Sequence, residues 1–167
     1  MNANFRIAPA TLGDLPHIHS MIRALAEYER LSHLCVASEA DLKNSLFTEK
    51  PVAEVVVGWE DSQPVAFALF FHNFSTFLGR RGLYLEDLFV EPAFRGKGYG
   101  KALLVHLARL ALARSCGRFE WTVLDWNETA IGFYQSLGAT VMPDWRITRV
   151  TGPALAALAA QPLLAER

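Results

Sequence analysis

An α/β domain on a mixed, mostly antiparallel sheet of about six to seven strands is the fold class that the sequence predicts, from three observations. Three extended apolar runs, Val52 to Trp59, Pro64 to Phe74 and Gly82 to Val90, follow one another across short polar turns. The third run then feeds directly into a glycine-rich turn that opens a strongly helical pattern. From that junction onward, strand-like and helix-like segments alternate. At 167 residues, 51% hydrophobic and 20% charged, the chain suits one domain, 1–167, with enough apolar material for a core.

Each element has a local reason. Phe5-Arg6-Ile7 reads as a short strand; Thr11 and Asp14 make a capping-box pattern, after which Leu15, Ile18, Ile22, Leu25 and Ala26 fall at helical spacing. Ser38 and Asp41 signal a second cap, for a helix running to about Phe47 before Pro51 stops it. The turns Glu60-Asp61-Ser62-Gln63 and Gly79-Arg80-Arg81 make the three apolar runs consecutive antiparallel neighbours. A helix from about Gly98 to Ser115 follows, then a strand from Arg118 to Leu124 and a helix capped by Asn127. A strand pair is expected near Ala139 to Met142 and Arg146 to Val150. The tail from Gly152 reads as a short alanine-rich helix that cannot pack alone.

Charge and composition exclude several function classes. A net charge of −1 with no basic run leaves no electrostatic footprint for nucleic acid or an anionic membrane. No window has the length of a membrane span and the N-terminus lacks the apolar stretch of a signal peptide, so a cytoplasmic location is expected. Cys35 and Cys116 are too sparse for a disulfide framework. No metal site is expected: His17 and His19 diverge on a predicted helix, and His33, His72 and His106 are isolated in sequence. Phe70, Phe71, Phe74 and Phe77 read as strand core plus a loop edge, with Phe77 placed to wall a substrate pocket.

The glycine-rich turn carries the chemistry. Gly96, Gly98 and Gly100 free the backbone of Cβ atoms at a strand-to-helix junction, whose exposed N–H groups suit an anion. A nucleotide-binding Walker loop is excluded, because Arg95 stands where the first glycine should be and Ala102 follows Lys101, leaving no hydroxyl for Mg²⁺. A dinucleotide fingerprint is disfavoured, since the spacing is G-x-G-x-G and the motif lies mid-chain. The pattern Arg95, Gly98, Gly100 resembles the acyl-CoA-binding motif [RQ]-x-x-G-x-[GA] of the GCN5-related N-acetyltransferases (GNAT). Asn127 to Ala139 resembles that family's second element, N-x-x-A-x-x-F-Y-x-x-x-G-[FA]. Tyr28 and Glu29 on the first helix, Tyr84 to Val90, and Trp126-Asn127-Glu128 ahead of Tyr134 are similar to the spermidine/spermine and thialysine N-acetyltransferase branch.

This resemblance implies the GNAT fold, with helices on both faces of the sheet and a splayed acetyl-CoA cleft. It implies direct acetyl transfer from acetyl-CoA to a primary amine of a small, cationic molecule, with no metal, in a homodimer. Leu88, Phe89, Val90, Arg95, Gly96, Lys97, Gly98, Tyr99, Gly100, Lys101, Asn127, Ala130 and Tyr134 would hold acetyl-CoA. The family's strand carries a bulge whose free N–H stabilises the thioester oxygen, here near Phe89 or Val90. Tyr134 would be the general acid and Glu86 the base, directly or through water, with Tyr28, Glu29, Glu86 and Asp87 around the amine. Glu86 and Asp87 are adjacent on a strand, so strict alternation lets only one share a cleft with Leu88. The stretch after Glu29, Arg30 to Val36, is less acidic than gripping a long polycation requires, which leaves room for a smaller amine or an amino acid. Two alternatives are a protein lysine or N-terminal acetyltransferase and a non-catalytic acyl-CoA sensor.

Overall fold

A computed structural model describes residues 4–162. The expectations for residues 1–3, and for the tail beyond position 162, lie outside the described residues. The chain forms two compact units, one up to Thr122 and one from Val123.

The first unit is a five-stranded sheet in the order β1-β2-β3-β4-β5. Its strands are β1 (Phe5–Pro9), β2 (Glu54–Glu60), β3 (Gln63–Ser75), β4 (Arg80–Val90) and β5 (Phe119–Trp121). Pairing is antiparallel throughout except for β4 with β5, which run parallel. The parallel pair arises because α3 (Tyr99–Ala113) carries the chain back across the sheet between them. Helices α1 (Leu15–Tyr28) and α2 (Glu39–Leu46) lie between β1 and β2 in the chain. Both sequence-read caps form: Asp14 Oδ2 accepts from the Thr11 N–H at 2.7 Å, and Ser38 Oγ accepts from the Asp41 N–H at 3.2 Å.

Alternation along the strands sorts two apolar faces. Val55, Val57, Phe67, Leu69 and Phe89 form one buried cluster with Ile18 and Met21 of α1. On the other face, Leu88 and Val90 approach Gly100 at the start of α3, whose Leu103, Leu104 and Leu107 are buried. Helices therefore cover both faces, as the sequence predicts. Burial on both sides explains why Val55 to Gly58 and Val65 to Phe70 are continuously buried rather than alternating.

The second unit contains α4 (Glu128–Ser136), α5 (Gly152–Ala159) and irregular segments. Asn127 caps α4 as expected, its side-chain oxygen accepting from the Ala130 N–H at 3.2 Å. The expected strand pair near Ala139 to Met142 and Arg146 to Val150 is absent among the described residues, so the sheet has five strands rather than six or seven. A strand exists only where a neighbour completes its backbone hydrogen bonds, and no such ladder is formed with these segments. Val141, Met142, Trp145, Ile147 and Val150 remain exposed.

Candidate active site

The cradle begins where β4 ends. Pro92–Phe94 makes a single tight turn, Arg95 follows in extended conformation, and α3 starts at Tyr99. Gly96 and Gly98 adopt φ of 76° and 86°, the left-handed region that side chains with a Cβ enter only at a cost. Gly98 is the N-cap of α3 and no side chain caps the helix there. The first-turn N–H groups are thus left for an external acceptor, which is the chemistry an anionic phosphate supplies.

Past Leu85, β4 parts from its parallel neighbour. Only Leu83, Tyr84 and Leu85 pair with β5, while β4 continues to Val90 with no β5 partner among the described residues. On the other side of β4 a bulge interrupts the register with β3: Leu85 lies opposite Phe70 and Asp87 opposite Leu69, leaving Glu86 as the extra residue. The bulge therefore sits at Glu86, while Phe89 and Val90, near which the N–H donor was expected, stay in register with Phe67 and Ala66.

That displacement changes the geometry of the two carboxylates. Strict alternation separates Glu86 from Asp87, but the inserted residue breaks the alternation. Leu88 keeps the α3 face, beside Gly100, while Asp87 is opposite Leu69 and two residues from Phe89, both of the α1 cluster. Glu86 is exposed and Asp87 half-buried. Burial, with the Glu86 and Glu29 charges beside it, pushes the Asp87 carboxyl up to about 6. Glu29, at the C-cap of α1, is itself raised by burial. Three carboxylates thus converge where α1 ends against β4, a site that favours a cation.

Arg95 joins this cluster to the cradle. Its Nε donates to the Val90 carbonyl at 3.0 Å, and its guanidinium lies 4.9 Å from the Tyr28 ring centre and 5.5 Å from that of Phe89. The structure so brings Tyr28, Glu29, Asp87, Phe89, Val90 and Arg95 together, with Leu88 and Gly100 on the α3 side of the same strand end. Lys97 is directed elsewhere, its Nζ lying 2.9 and 3.0 Å from the two Glu60 carboxylate oxygens. Lys101 is exposed on the first turn of α3. Phe77 is 99% exposed at the tip of the β3–β4 hairpin. In the second unit, Asn127 and Ala130 share the N-terminal turn of α4, and Tyr134 lies one turn further, its ring tilted against Phe133 at 5.5 Å.

Sequence reasoning ranked Glu86 above Asp87 and gave Glu60 no role beyond a turn. Two adjacent acids inside an apolar strand were the only available signal for the first, and the difference in their burial appears only in the fold. The Glu60 contacts have no signature in the sequence.

Comparison with known proteins gives the family and the fold. The acetyltransferase (GNAT) family model matches residues 18–139. Over 94% of its length the chain is 39% identical to the thialysine N-epsilon-acetyltransferase of Mus musculus, covering 98% of that protein. It is 35% identical to L-ornithine N5-acetyltransferase NATA1 of Arabidopsis thaliana, over 92% of this chain and 87% of the relative. Among solved structures, an integron cassette protein from the mobile metagenome of V. cholerae superposes with a TM-score of 0.80 at 30% identity, over 95% of this chain and 99% of that one.

Proposed function

The chain belongs to the GNAT family of acetyltransferases, and we propose that it transfers an acetyl group from acetyl-CoA directly to a primary amine of a small cationic substrate. Ornithine-like and thialysine-like amino acids are favoured, then diamines and polyamines. The observation that carries this reading is the carboxylate cluster of Asp87 and Glu86, on the strand that leads into the anion cradle, with Glu29 at the end of α1. Relatives named for ornithine and thialysine acetylation support the same substrate class.

The chemistry needs a free amine, because an ammonium has no lone pair to attack the thioester carbonyl. The cluster first attracts the ammonium. A carboxyl titrating near 6 is ionised at neutral pH yet basic enough to accept the departing proton. In this reading Asp87 sets the titration, and Glu86, at the bulge, completes the amine site and relays the proton directly or through water. The new C–N bond forms as the C–S bond breaks, and Tyr134 supplies the proton to the leaving thiolate. The N–H groups at the start of α3 hold the pyrophosphate of acetyl-CoA.

A homodimer belongs to the same proposal. The apolar positions between Ala139 and Val150 have the alternation of strands and lack a ladder partner, which a second copy can supply. A cytoplasmic location fits free thiols at Cys35 and Cys116.

Thiol release from acetyl-CoA, measured across ornithine, lysine analogues, diamines, polyamines, other amino acids and short peptides, tests the function. Turnover with a small cationic amine, reduced at least about a hundredfold in Tyr134→Phe, is the expected result. Activity confined to peptides would instead favour a protein acceptor, and acetyl-CoA binding without turnover a sensor.

A further inference from the structure

The cradle loop is tied to the far edge of the sheet by a set of contacts that its motif does not require. Lys97 Nζ lies 2.9 and 3.0 Å from the two carboxylate oxygens of Glu60, the last residue of β2. The Tyr99 hydroxyl donates to the same carboxylate. Phe5 of β1, paired with Glu60 across the sheet, stacks on the Tyr99 ring at 3.9 Å and 4°. Gly58 makes room for this stack, since a Cβ there would come within 2.8 Å of the Phe5 ring. Lys97 is exposed but flanked by aromatic rings, its Nζ 4.7 Å from the centre of Phe94 and 5.9 Å from that of Tyr99. Tyr99 is 3% exposed, so the residue between Gly98 and Gly100 is an anchored core group inside an otherwise exposed turn.

A loop with left-handed glycines at 96 and 98 has much conformational freedom to lose when it closes on a ligand. Holding it beforehand from both sides of Gly98 removes part of that loss. We propose that Glu60 is a positioning residue for acetyl-CoA: through Lys97 and Tyr99 it fixes residues 95–100 in their anion-binding shape, and Lys97 acts as a tether rather than as a phosphate ligand. The inference rests on the reading of this loop as the acetyl-CoA cradle.

Calorimetric titration with acetyl-CoA and initial rates on the intact chain test it, comparing wild type with Glu60→Ala, Glu60→Gln, Lys97→Met and the Glu60→Ala/Lys97→Met double variant. Glu60→Ala is expected to raise Kd and KM for acetyl-CoA about five- to tenfold, with kcat and the amine KM within about twofold. Glu60→Gln, which keeps an acceptor for Tyr99, should recover part of the loss. The double variant should add little to Glu60→Ala, because both changes cut one connection. Hydrogen exchange at residues 96–100 of the ligand-free protein should rise in Glu60→Ala. Unchanged affinity and exchange in the variants of a wild type that binds acetyl-CoA would overturn the tether alone. Tighter binding in Glu60→Ala would also overturn it, showing that a released Lys97 reaches the phosphates. A wild type that fails to bind acetyl-CoA would remove the cradle reading and this inference with it. Should Glu60→Ala not fold, hydrogen exchange at residues 96–100 of ligand-free Lys97→Met gives the reading: it should rise if Lys97 is a tether, and an unchanged free loop with weakened binding would overturn the tether in favour of a phosphate contact.

Discussion

At the scale of single residues, Asp87 shows how one position in a strand acquires a chemical role. Its carboxyl rises from 3.8 to about 6 chiefly because burial removes water, with Glu86 and Glu29 adding repulsion. The folded protein therefore holds this proton more tightly than the unfolded chain. Its stabilising effect is complete below about pH 4 and is lost as pH rises through about 6. Asp87→Asn removes the buried charge, so denaturant unfolding near pH 7.5 should show a gain of about 1–2 kcal/mol that vanishes towards pH 4. Activity should move the other way. In wild type kcat/KM should climb through about pH 6; in Asp87→Asn it should be lower by about tenfold or more, without that inflection. An unchanged inflection in the variant would assign the titration to another group. Stability and activity here conflict because a carboxylate held ready for a cation is a strained one before the cation arrives.

At the scale of elements, the strand-turn-helix junction was the most legible part of the chain, because its requirements are local. Gly98 is needed for its φ of 86°, and no neighbour lies within 4 Å of an added Cβ, so backbone strain and the ligand's approach are the constraints, not packing. Gly98→Val should weaken acetyl-CoA binding about tenfold or more by titration, while the melting temperature falls only modestly. Unaltered affinity would remove the cradle assignment. Capping boxes at Thr11 and Ser38 were equally readable, being interactions across three residues. The bulge was not. Whether the extra residue falls at Glu86 or near Phe89 depends on how β4 meets β3, and the register is fixed by the burial of Phe67, Leu69 and Phe89 against α1.

At the scale of the whole molecule, the first unit is held by a sheet covered on both faces, and the second exposes apolar residues in segments that form no strand among the described residues. Trp145 is 75% and Ile147 67% exposed, within a segment whose alternation reads as strand. If a second copy supplies the missing ladder, sedimentation should find a dimer in wild type, and Trp145→Glu should shift it to monomer at equal concentration. A wild-type monomer at the concentrations used for turnover would remove the dimer from the proposed function. By itself the sequence determined the order of strands and helices as far as α4, the glycine-rich strand-to-helix turn, and the family, because each depends on periodicity, turn chemistry or a short motif. Tertiary structure alone decided which acid is buried, where the bulge falls, and that Glu60 and Phe5 reach across the sheet to hold Lys97 and Tyr99. Residues separated by some 40 to 90 positions become neighbours only when strands pair, and desolvation has no value until a particular surface covers the group.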